Sequence, residues 1–217
     1  MPPRGLTPSG LVLVDKPAGP SSFAIVRDLR NRTGARAGHA GTLDPFATGL
    51  LLVLLGAFTK QASRFVGLDK EYETEVDLST RTTTGDPEGD VVAEAKPPVE
   101  SELLDRLEAL RGEVDLPIPA ASAVKIGGER AYKLFRRGVE VEMPSRRTSV
   151  NALDLLDYDG RVALLRVGVG SGGYVRSIAE ALGGHCKALR RTAVGPFRVE
   201  DADPERVIPP EEALAAL

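Results

Sequence analysis

Apolar residues recur along the chain with two different spacings, and the switches between them mark out its elements. Residues 11–14 form a short apolar run entering Asp15-Lys16-Pro17 and a Gly/Pro turn, which predicts a strand. Ser21 and Ser22 can then cap a helix with Val26 and Leu29 on its core face, and Gly34 stops it. Residues 34–44 read as a glycine-punctuated loop. The unbroken apolar run over 50–55 predicts a strand buried on both faces, followed by a helix near 59–66. Over 71–78 the charged residues Glu71, Glu73, Glu75 and Asp77 alternate with the others, the signature of a half-buried strand.

Residues 86–98 read as a loop. An amphipathic helix over 101–110 ends at Gly112, a strand lies near 121–126, and Gly127-Gly128 turns into a basic helix over 130–137. Two alternating runs, 151–158 and 161–169, flank Asp159-Gly160, a hairpin signal. A last helix over 174–182 closes at Gly183-Gly184. Strands joined by hairpins more than by crossover helices predict an α+β fold with a mixed, largely antiparallel sheet and flanking helices. No repeat or low-complexity tract interrupts the pattern.

The 217 residues suit one large domain, or one domain with a small appendage. The 23 glycines and 16 prolines make up about 18% of the chain against roughly 12% on average, so turns are frequent. One cysteine excludes a disulfide framework, and Cys186, His185 and His39 cannot make a zinc cage without carboxylates. No apolar run approaches the roughly 18 residues of a membrane span, and no signal peptide is visible. These features imply a cytoplasmic protein that touches no membrane and holds no metal.

A formal charge of −3 argues at first against nucleic acid. The acidity is segregated, however. Residues 69–115 hold 15 acids and 5 bases, and residues 199–217 hold 6 acids and 1 base, which leaves 22 bases against 10 acids in the rest. A basic surface therefore fits within an acidic chain. Arg27, Arg30, Arg32 and Arg36 form one block, and Lys125, Arg130, Lys133, Arg136, Arg137, Arg146 and Arg147 another. Together they predict phosphate contacts that weaken as salt rises.

Two stretches offer chemistry. Gly168-Val169-Gly170-Ser171-Gly172-Gly173 matches a dinucleotide fingerprint, but no acidic residue between Cys186 and Arg198 could bind a ribose, and too little chain follows for a doubly wound sheet. It reads as a glycine-rich turn. In Gly38-His39-Ala40-Gly41-Thr42-Leu43-Asp44-Pro45-Phe46-Ala47-Thr48-Gly49-Leu50-Leu51, Pro45 biases Asp44 to an extended backbone, and the strand that follows anchors its carboxylate at a loop-to-strand junction. An isolated Asp-Pro would be only a turn.

The whole run resembles the catalytic motif of bacterial tRNA pseudouridine synthases of the TruB family, which isomerise uridine 55 in the T loop of tRNA. Further stretches match in the same order: Leu13-Val14-Asp15-Lys16-Pro17 with Ser21-Ser22, Lys70-Glu71-Tyr72, and Gly173-Tyr174-Val175-Arg176-Ser177-Ile178. Ser122-Ala123-Val124-Lys125 and Leu189-Arg190-Arg191-Thr192 add weaker matches, so the resemblance covers about residues 9–198. It implies the pseudouridine synthase fold over 1–198, with an insertion near 120–150 that grips the T arm. It also implies that, with only the short acidic tail 199–217 after this domain, the family's usual C-terminal RNA-binding domain of the PUA type would be absent or reduced.

The resemblance makes Asp44 the catalytic aspartate and Arg176 its ion-pair partner. The reaction breaks the N1–C1′ bond, turns the uracil and rejoins it through C5, so an anionic group beside sugar and base is needed. A guanidinium next to a carboxylate favours its charged form. Attack on C1′, attack on C6 and removal of a sugar proton all remain open for Asp44. Tyr72 would stack on the uracil and act as the base at C5, Tyr174 would be the second active-site tyrosine, and Leu189 an apolar wall. His39 would fill the space left by a flipped-out uridine, since a stacked base is otherwise unreachable. Lys16 would be a structural or RNA-facing member of the first motif. The resemblance implies no cofactor, tRNA as partner and a monomer. A non-catalytic RNA-binding module or tRNA folding helper is the alternative.

Overall fold

The computed structural model describes residues 8–217; residues 1–7, which the expected catalytic domain includes, lie outside the described residues. In chain order the elements are β1 (Gly10–Lys16), α1 (Ser22–Thr33), β2 (Ala37–His39), β3 (Thr48–Leu55), α2 (Ala62–Val66), β4 (Lys70–Asp77), β5 (Thr80–Thr82), β6 (Val91–Glu94) and α3 (Glu100–Ala109). There follow β7 (Gly112–Pro117), β8 (Lys125–Ile126), β9 (Glu129–Arg130), α4 (Ala131–Arg136), β10 (Ser145–Tyr158), β11 (Val162–Val169), α5 (Val175–Leu182), β12 (His185–Val194), β13 (Phe197–Arg198), β14 (Asp203–Ile208) and α6 (Pro210–Ala215).

The residues group into two units, one running to Tyr72 and resuming over Leu189–Leu217, the other Glu73–Ala188. In the first unit β1 lies between β14 and β3, both antiparallel to it, and the C-terminal half of β12 runs parallel to β3. β3 is hidden on both faces, as its unbroken apolar run predicts. Leu50, Leu52 and Leu54 join Leu11, Leu13, Phe58 and Phe65 on one side, and Leu51, Val53 and Leu55 join Val12, Val14, Val26 and Leu29 on the other.

α1 begins as its sequence requires. Ser21 Oγ accepts the Ala24 N–H at 3.2 Å, and Gly34 ends the helix at φ 67°, a left-handed conformation that suits glycine. The tail read as merely acidic is structured: Leu11 pairs with Ile208, and Ala213 is buried in the core. Charge and proline hide this strand, whose apolar content is small.

In the second unit the strand order is β4-β11-β10-β7, with β10 antiparallel to both β11 and β7. The hairpin at Asp159-Gly160 is present, longer than its alternating pattern shows, and two small hairpins, β5-β6 and β8-β9, stand apart. Several strands depart from the sequence reading: β2 lies in the expected loop over 34–44, and the strand expected near 121–126 is only the two residues of β8. β6 occupies the loop expected over 86–98, because its pairing with β5 replaces the burial that an apolar pattern would signal; all four of its residues are exposed. β7 carries charge at Glu113 and Asp115 on a sheet edge. β12 is masked in the sequence by Lys187, Arg190 and Arg191, which break the apolar pattern of a central strand. The architecture is the expected α+β one, mixed and largely antiparallel with helices at its flanks.

Candidate active site

Asp44 lies in an irregular loop between β2 and β3, half-buried, and three buried side chains from three elements grip the backbone on either side of it. Lys16, at the end of β1, has no exposed surface. Its ammonium donates to the carbonyls of Pro17 at 2.8 Å, Pro20 at 2.9 Å and Pro45 at 3.2 Å. Ser22, on the first turn of α1, both donates to the Leu43 carbonyl at 2.9 Å and accepts the Leu43 N–H at 2.8 Å. Arg191, from β12, donates to Leu50 at 2.7 Å, Thr42 at 3.3 Å and Gly41 at 3.1 Å, all carbonyls. A buried cation is tolerated where its donors are matched, and here the matching acceptors are the loop itself. Asp44 is thus held on a rigid base and still reachable.

Gly49 explains why β12 can approach so closely. Its φ is +100°, and a Cβ there would lie 2.2 Å from the Arg191 carbonyl oxygen. Arg190 pairs in register with Thr48, so Leu189, buried, stands where the Asp44 loop enters β3. Tyr72, also buried, points inward from β4, on which Lys70 and Tyr72 alternate with exposed Glu71. The Lys70 ammonium donates to the Val66 carbonyl at 2.6 Å and to that of Leu68. Burial pushes the Lys70 pKa down to about 8, helped by the Arg191 charge and opposed by Asp69.

His39 sits on β2 opposite Val53. Burial and the Arg191 charge hold its pKa below the usual imidazole range, and its Nδ1 has no hydrogen-bond partner among the described residues. The Nδ1 atom is itself buried, so this ring nitrogen is an unsatisfied polar atom beside the Asp44 loop. The first unit therefore contains Lys16, His39, Asp44, Tyr72 and Leu189, five of the seven residues singled out from the sequence.

The other two belong to the second unit. Tyr174 precedes α5, with the Arg146 guanidinium 5.9 Å from its ring centre. Arg176, in the first turn of α5, is 2% exposed; it meets the Asp86 carboxylate at 3.3 Å and donates to the carbonyls of Thr84 at 2.8 Å and Ala121 at 3.0 Å. Asp86 in turn accepts from the Thr84 hydroxyl and the Glu88 N–H. Sequence reasoning missed Asp86. Its signal is the run Thr82-Thr83-Thr84-Gly85-Asp86-Pro87, dense in groups that bond locally to backbone.

Among the described residues no group of three or more His, Cys, Asp or Glu side chains could hold a metal ion, and no helix is long and apolar enough to cross a membrane. The basic residues divide. Arg32 is tied to Asp28 and Glu205, Arg137 to Glu129 and Arg147 to Glu113, whereas Arg27, Arg30 and Arg36 have no ion pair among the described residues.

Comparison with known proteins settles the family. The model of the TruB family pseudouridylate synthase N-terminal domain matches residues 29–175. The chain belongs to the TruB family of pseudouridylate synthases. It is 41% identical to the tRNA pseudouridine synthase B of Leifsonia xyli over 97% of this chain and 75% of that protein. It is 44% identical to that of Roseobacter denitrificans over 98% of this chain and 72% of the relative. Among solved structures, a Cbf5-Nop10-Gar1 complex contains a chain with TM-score 0.67 and 30% identity, covering 87% of this chain and 50% of its own. A pseudouridylate synthase with TM-score 0.55 and 16% identity, over 98% of this chain and 75% of its own, shares the fold. The pseudouridine synthase fold expected from the sequence is thus the observed one, and membership of the TruB family makes the chain an isomerase of uridine in RNA.

Proposed function

We propose that the chain converts uridine 55 in the T loop of tRNA to pseudouridine, with Asp44 as the catalytic carboxylate. The observation that carries the reading is the grip of Lys16, Ser22 and Arg191 on the backbone flanking Asp44, a construction that fixes one carboxylate at a loop-to-strand junction. Relatives named tRNA pseudouridine synthase B, matched over nearly the whole chain, supply the substrate class.

In this reading the uridine leaves its stack to reach Asp44, and His39 enters the space it vacates. That exchange costs a few kcal/mol of stacking, which the binding energy of the rest of the T arm offsets. Tyr72 stacks on the uracil and takes the C5 proton, Leu189 is an apolar wall, and Tyr174 and Arg176 take the roles that the family's Tyr/Arg motif gives them. The N1–C1′ bond breaks, C5–C1′ forms, the C5 hydrogen leaves and N1 gains one, so the balance needs no redox partner or external group donor.

Asp44→Asn tests the assignment, because it keeps the shape and removes the charge. Pseudouridine mapped in a T-arm transcript and in bulk tRNA should appear at position 55 with the unaltered chain and be lost with the variant. Product formed by the purified Asp44→Asn protein would remove Asp44 from the chemistry, and modification elsewhere would overturn the substrate while leaving the reaction class intact.

A further inference from the structure

We propose that one flank of α1 is an RNA-binding strip, on which Phe23 stacks an unpaired base and Arg27 and Arg30 hold the phosphates of the loop strand next to the target uridine. The inference rests on the substrate assigned above and specifies how that substrate is held.

Phe23 is 64% exposed, the most exposed large hydrophobic side chain among the described residues. It directly follows Ser22, whose hydroxyl grips Leu43, the neighbour of Asp44. The first turn of α1, which carries Phe23, is therefore fastened to the loop that carries Asp44. At about 100° per residue, Phe23, Arg27 and Arg30 fall within roughly 60° of one another around the helix, and the rise from Phe23 to Arg30 is about 10 Å. Arg27 and Arg30 are exposed and have no ion pair among the described residues.

Arg32 lies about 180° from Phe23 around the same axis. It is neutralised by Asp28 at 3.6 Å and Glu205 at 2.7 Å. The helix thus separates spare positive charge on one flank from satisfied charge on the other. An exposed aromatic in line with unpaired guanidinium groups matches single-stranded RNA, whose bases stack on rings and whose phosphates take the charge. A duplex would offer phosphates and no free base, and a protein partner of acidic chemistry would leave Phe23 without a role. The nucleotides flanking a flipped uridine in a loop supply both.

The test measures affinity of the full chain for a T-arm transcript between about 50 and 200 mM salt. Arg27→Gln/Arg30→Gln should reduce the steepness of log K against log salt by about 1.4, the loss of two single-strand phosphate contacts. Phe23→Ala should weaken binding about tenfold with the slope unchanged. Arg32→Gln should leave the slope as it was. An unchanged slope in the double variant, an equal fall with Arg32→Gln, or unaltered affinity with Phe23→Ala would each overturn the strip. If the unaltered chain binds the transcript and forms pseudouridine while any of these contrary results appears, only the strip is wrong; if it does neither, the substrate reading fails with it.

Discussion

Arg191 is the residue whose replacement should reach the site and the fold together. Arg191→Met keeps most of the stem and removes the guanidinium, leaving the carbonyls of Gly41, Thr42 and Leu50 without their donor. Arg191 is 1% exposed, so water cannot readily take its place. At about 1 kcal/mol for each bond lost, the cost is about 3 kcal/mol, a large part of the roughly 5–15 kcal/mol that stabilises a typical domain. With a slope near 2 kcal/mol/M, the urea midpoint should fall by about 1.5 M at unchanged slope. A second readout separates the charge from the packing. The Arg191 charge helps to hold Lys70 at about 8, so the variant should raise the Lys70 pKa, measured by NMR titration of its ammonium. Loosening of the Asp44 loop should lower kcat more than it raises KM, since a displacement of about 1 Å at a reacting group costs on the order of 100-fold. A loss of stability below about 1 kcal/mol with an unmoved Lys70 would refute the idea that this guanidinium organises the loop.

The remaining predictions concern neighbouring features. Gly49→Ala should unfold the first unit or force β12 away from β3, because a Cβ would meet the Arg191 carbonyl at 2.2 Å and φ is +100°; circular dichroism and thermal melting would detect it, and a native melt would contradict the close approach. Asp77 is pushed up by burial, yet hydrogen bonds from Arg161 and Ser79 outweigh this and hold its pKa at about 2. Its folded value lies below the unfolded one, so its stabilisation is complete above about pH 4 and is lost as the pH falls toward 2. Asp77→Asn should cost about 1 kcal/mol at pH 7, less than the full shift because Arg161 is exposed to solvent screening, and should flatten stability between about pH 4 and 2.

Much of the candidate site is legible in the sequence because its information is local. Asp44-Pro45 within a long glycine-bearing run, Lys70-Glu71-Tyr72 and Tyr174-Val175-Arg176 are contiguous signatures, and the helix caps at Ser21 and Gly34 obey short-range rules. The apolar run of β3 announces its burial on both faces, and Asp159-Gly160 announces its turn. What stays hidden depends on partners distant in sequence. β12 looks too polar for a central strand until Arg191 is seen donating to a loop about 150 residues away. Asp86 is an ordinary turn carboxylate until Arg176 meets it, 90 residues on.

The acidic total of −3 carries least information of all, since charge acts through its placement. Sequence alone determined the class of fold, the reaction family and the run that presents Asp44, because periodicity and ordered motifs are properties of neighbouring residues. Only the tertiary structure decided which of the arginines near α1 are spare and which are satisfied, and which buried cations hold the Asp44 loop. A side chain's role follows from the groups it finds across space, and those partners come from chain segments that only folding brings together.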